Sequence, residues 1–204
     1  MDAGIVTSAA VIAYLLGSLP AGYLLGRLWG VNVLERDSGR TGGTNVLRSA
    51  GLAPALLTGA LDIGKGALAV WLAGQICPAA CQPAARALAG AAAILGHNHS
   101  IFLGFRGGAG VGTSLGALSA IYLPAAAGLL ILLVAIIAVT RYASVGSLTI
   151  VTLMPIILLA LGMTGTLSLI YLVHGLLAWA IIVYSHRPNI RRLLQGTERR
   201  LGEK

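Results

Sequence analysis

Long apolar runs separated by short polar segments organise this 204-residue chain. The runs cover about 5–28, 53–76, 84–103, 107–140, 145–161 and 167–184. Most approach or exceed the ~20 residues that a membrane-spanning helix needs. In lipid every backbone N–H and C=O must be satisfied within the chain, which leaves helices or a closed barrel. The chain has too few strands of alternating apolar and polar residues for a barrel, so the pattern predicts an all-α integral membrane protein. It forms a single polytopic domain, 1–204.

Composition agrees. Hydrophobic residues make up 57% of the chain and charged residues 10%, against about 45–50% and 25% in soluble domains. Twenty charged side chains do not cover that much apolar surface in water. The 28 glycines suit helices that approach each other closely in lipid. The net charge is +8, and twelve of the fourteen cations are arginines, whose planar fork binds phosphate or carboxylate through two donors. About half of them follow from the cytoplasmic positive bias of membrane proteins. Nucleic acid is excluded as a partner, because no basic face is interleaved with aromatics and only 5% of residues are aromatic. The opening Met-Asp-Ala-Gly lacks a positive n-region, so the first run reads as a retained span. Cys77 and Cys81 fit no zinc spacing; they are a local disulfide if their turn faces outside, or two small apolar residues.

Arginine positions orient the chain. Arg36, Arg40 and Arg48 follow the first run, with Arg27 at its edge; Arg187, Arg191, Arg192, Arg199, Arg200 and Lys204 fill the tail, and the turn 77–83 has no Lys or Arg. This puts the first loop and the tail in the cytoplasm and the N-terminus outside, which requires an odd number of crossings. Six runs become seven if 107–140, 34 residues with Pro124 near its middle, folds as two short spans. That split also puts Arg106 and Arg141 on the cytoplasmic side. Five crossings with one re-entrant run is the alternative. Cytoplasmic loops then fall at about 29–52, 104–113 and 140–142, with a tail at 185–204.

Three polar segments meet on that face. Asp37-Ser38-Gly39-Arg40-Thr41-Gly42-Gly43-Thr44-Asn45-Val46-Leu47-Arg48 offers exposed backbone N–H groups, hydroxyls and guanidinium groups, which together suit a phosphate. Gly104-Phe105-Arg106-Gly107-Gly108-Ala109-Gly110-Val111-Gly112-Thr113 is a glycine-dense loop leading into a helix, with unpaired N–H groups and a positive dipole end for an anion. His97 and His99 precede it, but no nearby Cys or carboxylate completes a metal site, so no metal or other cofactor is expected and His97 reads as a neutral hydrogen-bonding side chain. In the tail, Ile190, Leu193 and Leu194 form an apolar stripe opposite arginines, as in an interfacial helix ended by Gly196. Surface anchoring does not explain His186 and Asn189, where the last span meets water. Asp62 and Lys65, three apart in the second run, can pair on one helix face; a structural pair and a substrate contact are both open.

These segments, in this order, resemble the PlsY-type acyl-phosphate:glycerol-3-phosphate acyltransferases of bacteria over nearly the whole chain. The likeness is carried by Gly17-Ser18-Leu19-Pro20-Ala21-Gly22-Tyr23, the loop 38–48, Leu61-Asp62-Ile63-Gly64-Lys65-Gly66, Gly96-His97-Asn98, the glycine loop 105–113, Arg141-Tyr142-Ala143-Ser144 and the tail from His186 to Glu198. The resemblance implies a seven-helix enzyme of the bacterial inner membrane with its active site facing the cytoplasm. Its partners would be acyl phosphate, glycerol 3-phosphate and membrane lipid, and its product 1-acyl-glycerol 3-phosphate; nothing demands more than one copy. Ser38, Arg48 and His186 would be catalytic. Arg40, Thr41, Asn45, Arg106, Gly107, Gly108, Gly110 and Asn189 would bind substrate or phosphate. Asp62, Lys65, His97 and Glu198 would support the site, Glu198 by holding the tail. The general base would be His186 or an oxygen of the donor's own phosphate.

The chain departs from the family pattern twice. The family's Gly-Gly-Lys-Gly has Ala109 in place of its catalytic lysine, and its Ser-Gly-Asn reads Ser38-Gly39-Arg40. Arg40, or else Arg106, is the candidate for the missing charge; a paralogue with altered substrate or weak activity is the alternative. A small-solute transporter is a rival from another class, but the polar groups gather on one face and no inverted repeat is visible. A CDP-alcohol phosphotransferase needs clustered aspartates, and the three here are scattered at 2, 37 and 62.

Overall fold

The structure, a computed structural model, describes residues 2–203. Among the described residues every regular element is helical, with loops between the helices and one isolated bridge between Ser100 and Arg106. In chain order the helices are α1 (Asp2–Ser18), α2 (Ala21–Leu28), α3 (Gly43–Ala50), α4 (Leu52–Ile76), α5 (Gln82–Asn98), α6 (Val111–Ile121), α7 (Leu123–Thr140), α8 (Ala143–Met163), α9 (Tyr171–Ser185) and α10 (Arg187–Leu194). Four stretches are long and apolar enough to cross a membrane: Ala3–Leu28, Leu52–Ile76, Leu123–Thr140 and Ala143–Met163. The outward faces of these stretches stay apolar, with Ile131 71% and Val139 85% exposed, which suits a hydrocarbon solvent.

Three local features depart from the run pattern, and each has a physical cause. The first run is not one helix: it breaks between Ser18 and Ala21, where Pro20 has no N–H and disfavours helical backbone at Leu19. The run 84–103 stops being helical at Asn98, because the chain turns back through 100–106 with Gly104 and Phe105 at positive φ. The expected loop 29–52 contains α3, whose Val46 is fully buried with Val33 and Ala55. The stretch 107–140 does divide near Pro124: α6 and α7 meet at Tyr122, whose extended backbone caps both. With 11 residues, α6 is about 17 Å long, roughly half the hydrocarbon thickness. The turn 77–83 lacks cations, yet Arg86, one turn into α5, adds one at that end and lies against Gly74. There Cys77 is buried beside Ala73 and Ala85, and the Cys81 thiol meets the Pro78 carbonyl at 3.4 Å.

Glycines bring the central helices into backbone contact. A Cβ on Gly17 of α1 would overlap the Ala93 carbonyl of α5, and one on Gly96 of α5 would overlap the Tyr14 carbonyl of α1. The same reciprocal fit joins α4 and α6, through Gly66 against Thr113 and Gly116 against Ile63. Lipid provides no hydrophobic force between helices, so this close approach supplies the attraction. A larger core of α5 to α9 then fills around Ile94, Leu118, Ile150, Met154, Leu158 and Ile182.

Gly66→Ala and Gly116→Ala should each lower stability by about 1–3 kcal/mol, as expected for overpacking. Gly128→Ala, whose added methyl meets open space, should not. Thermal melting of the detergent-solubilised protein checks the contrast.

Candidate active site

The polar end of the bundle rests on a buried ion cluster. Pro20 leaves the Leu19 carbonyl beyond the end of α1, and Lys65 of α4 donates to it at 2.9 Å. Lys65 also pairs with Asp62, one turn earlier, at 2.9 Å, and Asp62 lies 3.3 Å from His97 Nδ1 of α5. All three side chains are buried. The far edge of the His97 ring presses on Gly108, where a Cβ would overlap Nε2, while Gly108 N–H donates to the His97 carbonyl at 2.9 Å. One carboxylate thus links the α1–α2 break, two helices and the glycine loop.

Above this layer lies the loop 37–48. Asp37 and Gly39 have φ of 48° and 65°, so the chain turns sharply on either side of Ser38, which is exposed. Asn45, in the first turn of α3, fixes the turn from within. Its Nδ2 donates to the carbonyls of Arg40 (2.7 Å), Val33 (2.9 Å) and Arg36 (3.3 Å), and its Oδ1 accepts from Ser38 N–H at 3.3 Å. Thr41 is buried, and its N–H donates to the Gly107 carbonyl at 3.3 Å, tying this loop to the glycine loop. Arg106 is pulled back to the same loop, donating to the Leu34 carbonyl at 2.9 Å. Gly110, with φ 86°, starts α6 and lies against Asn98 and Ile94.

The third wall comes from α9, α10 and the tail. Arg40 reaches across to donate to Asn189 Oδ1 at 3.1 Å and to the Ser185 carbonyl. Burial, and after it the Arg192 cation, pull the Arg40 pKa below its ordinary value. Asn189 donates in turn to Glu198 Oε1 at 2.7 Å; Ser144 donates to the same oxygen at 2.8 Å and Arg192 Nε to Oε2 at 2.7 Å. Burial raises the Glu198 pKa, but these bonds outweigh it and hold the carboxyl below the ordinary range. His186 is buried with Nδ1 2.8 Å from the Ile182 carbonyl. Burial pushes its pKa below the usual histidine value, so the imidazole is neutral near pH 7 and, with Nδ1 donating, Nε2 is its free acceptor.

Between the three walls lies a cleft of about 330 Å³, lined by Arg40, Gly107, Gly108, Asn98, His99, Phe105, Tyr184, Ser185, Arg187 and Pro188. Of the residues that the sequence singles out, the structure brings Arg40, Gly107 and Gly108 to this cleft. Asn189 sits behind Arg40, and Thr41, Asn45, Asp62, Lys65, His97 and Glu198 buttress it. Ser38, Arg48 and His186 share its end of the bundle without lining it; Arg48 instead donates to the Arg199 carbonyl at 3.0 Å. Sequence reasoning gave no role to Asn98 and Ser185, which join at 2.8 Å on the cleft wall. Asn98 stands beside His97 in a quoted motif, and a polar residue inside an apolar run was the available signal.

The family model "Glycerol-3-phosphate acyltransferase" matches residues 7–196. This chain belongs to the glycerol-3-phosphate acyltransferase family. Curated members from Synechococcus sp. (strain CC9902) and Thermus thermophilus are each 41% identical over 194 and 197 residues, covering 95% of this chain and 94% of theirs. The fold matches crystal structures of PlsY (YgiH), an integral membrane glycerol 3-phosphate acyltransferase. Its glycerol 3-phosphate form gives a TM-score of 0.84 at 32% identity, covering 97% of this chain and 96% of that one; its lysophosphatidic acid form gives 0.82. Family membership makes this an all-helical integral membrane protein whose chain matches those acyltransferases over most of its length.

Asp62→Ala should destabilise this family member by about 3–5 kcal/mol, because it leaves the Lys65 ammonium buried without its carboxylate. Adding Lys65→Met should recover much of that loss. Melting temperatures of the two variants in one detergent check the pair.

Proposed function

We propose that this chain transfers a fatty acyl group from an acyl phosphate to a hydroxyl of glycerol 3-phosphate, giving 1-acyl-glycerol 3-phosphate and inorganic phosphate. The observation that carries the reading is the cleft that Arg40 lines together with Gly107 and Gly108 at the arginine-rich end of a membrane bundle. An acyl phosphate is a mixed anhydride with a good leaving group, so no protein nucleophile is needed. The glycerol hydroxyl oxygen bonds to the acyl carbon, the bond from that carbon to the bridging phosphate oxygen breaks, and phosphate departs with the electron pair. The hydroxyl proton goes to His186 or to a phosphate oxygen of the donor. The chain's work is to hold two phosphate-bearing reactants together and to offset the charge that gathers on the leaving group.

In this reading Ser38 and Arg48 sit at the phosphates of the two reactants, Thr41 and Asn45 shape the pocket, and His186 and Asn189 bind phosphate or the incoming glycerol 3-phosphate. Seven crossings, α1–α2 as one and α4 to α9 as six, put the N-terminus outside and the cleft and tail in the cytoplasm of a bacterial inner membrane. The acyl chain lies in the apolar wall between helices. Arg40 supplies the charge that Ala109 lacks: it lines the cleft, whereas Arg106 is turned away to Leu34. Ala109 also favours a second reading, a paralogue that accepts another alcohol or hydrolyses the donor.

Purified protein given palmitoyl phosphate should release phosphate quickly with glycerol 3-phosphate and slowly without it. Equal release in both cases supports the paralogue, and no release in either overturns both readings. Arg40→Ala should lower kcat/KM by about 10²–10³, the usual effect of removing a charge-stabilising donor. Ala109→Lys in that background should restore part of it. Full activity in Arg40→Ala alone removes its role.

A further inference from the structure

The C-terminal residues past Glu198 lie outside the part of the chain that the family model covers, which ends at 196, yet they are pinned across the active-site end. Leu201 N–H donates to the Arg141 carbonyl at 2.7 Å, and Arg141 Nε returns to the Leu201 carbonyl at 3.0 Å. Arg200 Nε donates to the Tyr142 hydroxyl at 3.1 Å, with its guanidinium 5.3 Å from the ring centroid. From that anchor on the α7–α8 turn the chain runs to α3. There the Arg199 carbonyl accepts from Arg48 at 3.0 Å and the Arg199 side chain pairs with Asp37 at 2.7 Å.

We propose that this segment is a positioning strap, and that Arg199 in particular fixes the geometry of Ser38 and Arg48 for phosphate. Asp37 immediately precedes Ser38 and holds φ at 48°, a left-handed conformation that side-chain-bearing residues disfavour. The Arg199 ion pair keeps it there. The same residue's carbonyl takes one of the five donors of Arg48, leaving the others for an anion. Tail residues thus orient the two groups that flank the loop 38–48, while the strap's other end rests on Arg141 and Tyr142. Arg199 is a positioning residue: its side chain goes to Asp37, and it acts on substrate through Ser38 and Arg48. This inference rests on the phosphate-binding role proposed for those two residues.

The test replaces residues 199–203 by a glycine–serine run of equal length and, separately, makes Arg199→Ala, Asp37→Asn and their combination. Steady-state rates are measured with palmitoyl phosphate saturating and glycerol 3-phosphate varied, alongside amide hydrogen exchange of residues 37–48. The strap predicts faster exchange at 37–39. It also predicts a KM for glycerol 3-phosphate raised about two- to fivefold by Arg199→Ala, the yield of an exposed ion pair, and about tenfold by the tail replacement, which removes the strap's charged hydrogen bonds as well. In every variant kcat stays within about twofold. Asp37→Asn should add nothing to Arg199→Ala, because both break one pair. Unchanged exchange, or faster exchange with an unaltered KM, overturns the proposal. Wild-type protein without glycerol 3-phosphate-dependent activity refutes the functional reading instead, and exchange still decides whether the strap orders the loop.

Discussion

A single buried carboxylate holds the working end of this bundle together. Asp62 lies among helices with Lys65 at 2.9 Å and His97 at 3.3 Å, and an unpaired charge there would be prohibitive. The cost of desolvation is met because each partner has a second contact: Lys65 donates to the Leu19 carbonyl at the α1–α2 break, and the His97 carbonyl accepts from Gly108 N–H. The cluster therefore connects a helix break, two helices and the glycine loop. It places the floor of the cleft.

Glycine explains how such a floor fits inside a bundle. Where α4 meets α6 and α1 meets α5, backbones touch because no Cβ stands between them. The same freedom continues into the loop, where Gly107 and Gly108 pass against the His97 backbone and ring with no room for a side chain. Packing and site formation are here one property, expressed first between helices and then in the turn that follows α5. The bundle can be rigid beneath a cleft that exposes backbone.

Much of this is legible in the sequence, and the parts that are not have physical reasons. Apolar runs marked where the main helices lie, and Pro124 marked the division between α6 and α7, because a hydrocarbon solvent demands apolar helices and a proline imposes a break. The three polar segments proved to be the three walls. Their internal roles were harder to read. Asn45 looks like a ligand for phosphate, yet its amide is occupied by the Val33, Arg36 and Arg40 carbonyls, contacts that depend on a loop conformation no pattern encodes. Asp62 and Lys65 were visible as a pair three apart; His97, 35 positions away from Asp62, joins them only through packing of α4 on α5. The helix α3 was hidden because its opening Gly43-Thr44-Asn45 reads as a turn, and it is Val46, buried with Val33 and Ala55, that holds it down. Ser185 and Asn98 sit at helix ends, where exposure depends on where a helix happens to stop.

The way the arginines are held shows why this end suits anionic substrates. Three carboxylates near the site pair with cations: Asp62 with Lys65, Glu198 with Arg192, Asp37 with Arg199. Four other guanidinium groups at this end are fixed by neutral acceptors instead: Arg40 by Asn189 and the Ser185 carbonyl, Arg48 by the Arg199 carbonyl, Arg106 by the Leu34 carbonyl, Arg141 by the Leu201 carbonyl. A carbonyl takes a donor and fixes a direction without cancelling a charge. Four oriented cations without a direct carboxylate partner, beside loops that carry backbone N–H groups, make a positive field of the kind that attracts anions. Had the same arginines been tied by aspartate or glutamate, the loops would be as well ordered but electrically satisfied, and an incoming phosphate would have to displace a carboxylate. With six acidic residues against fourteen basic ones, the chain leaves that vacancy to its substrates.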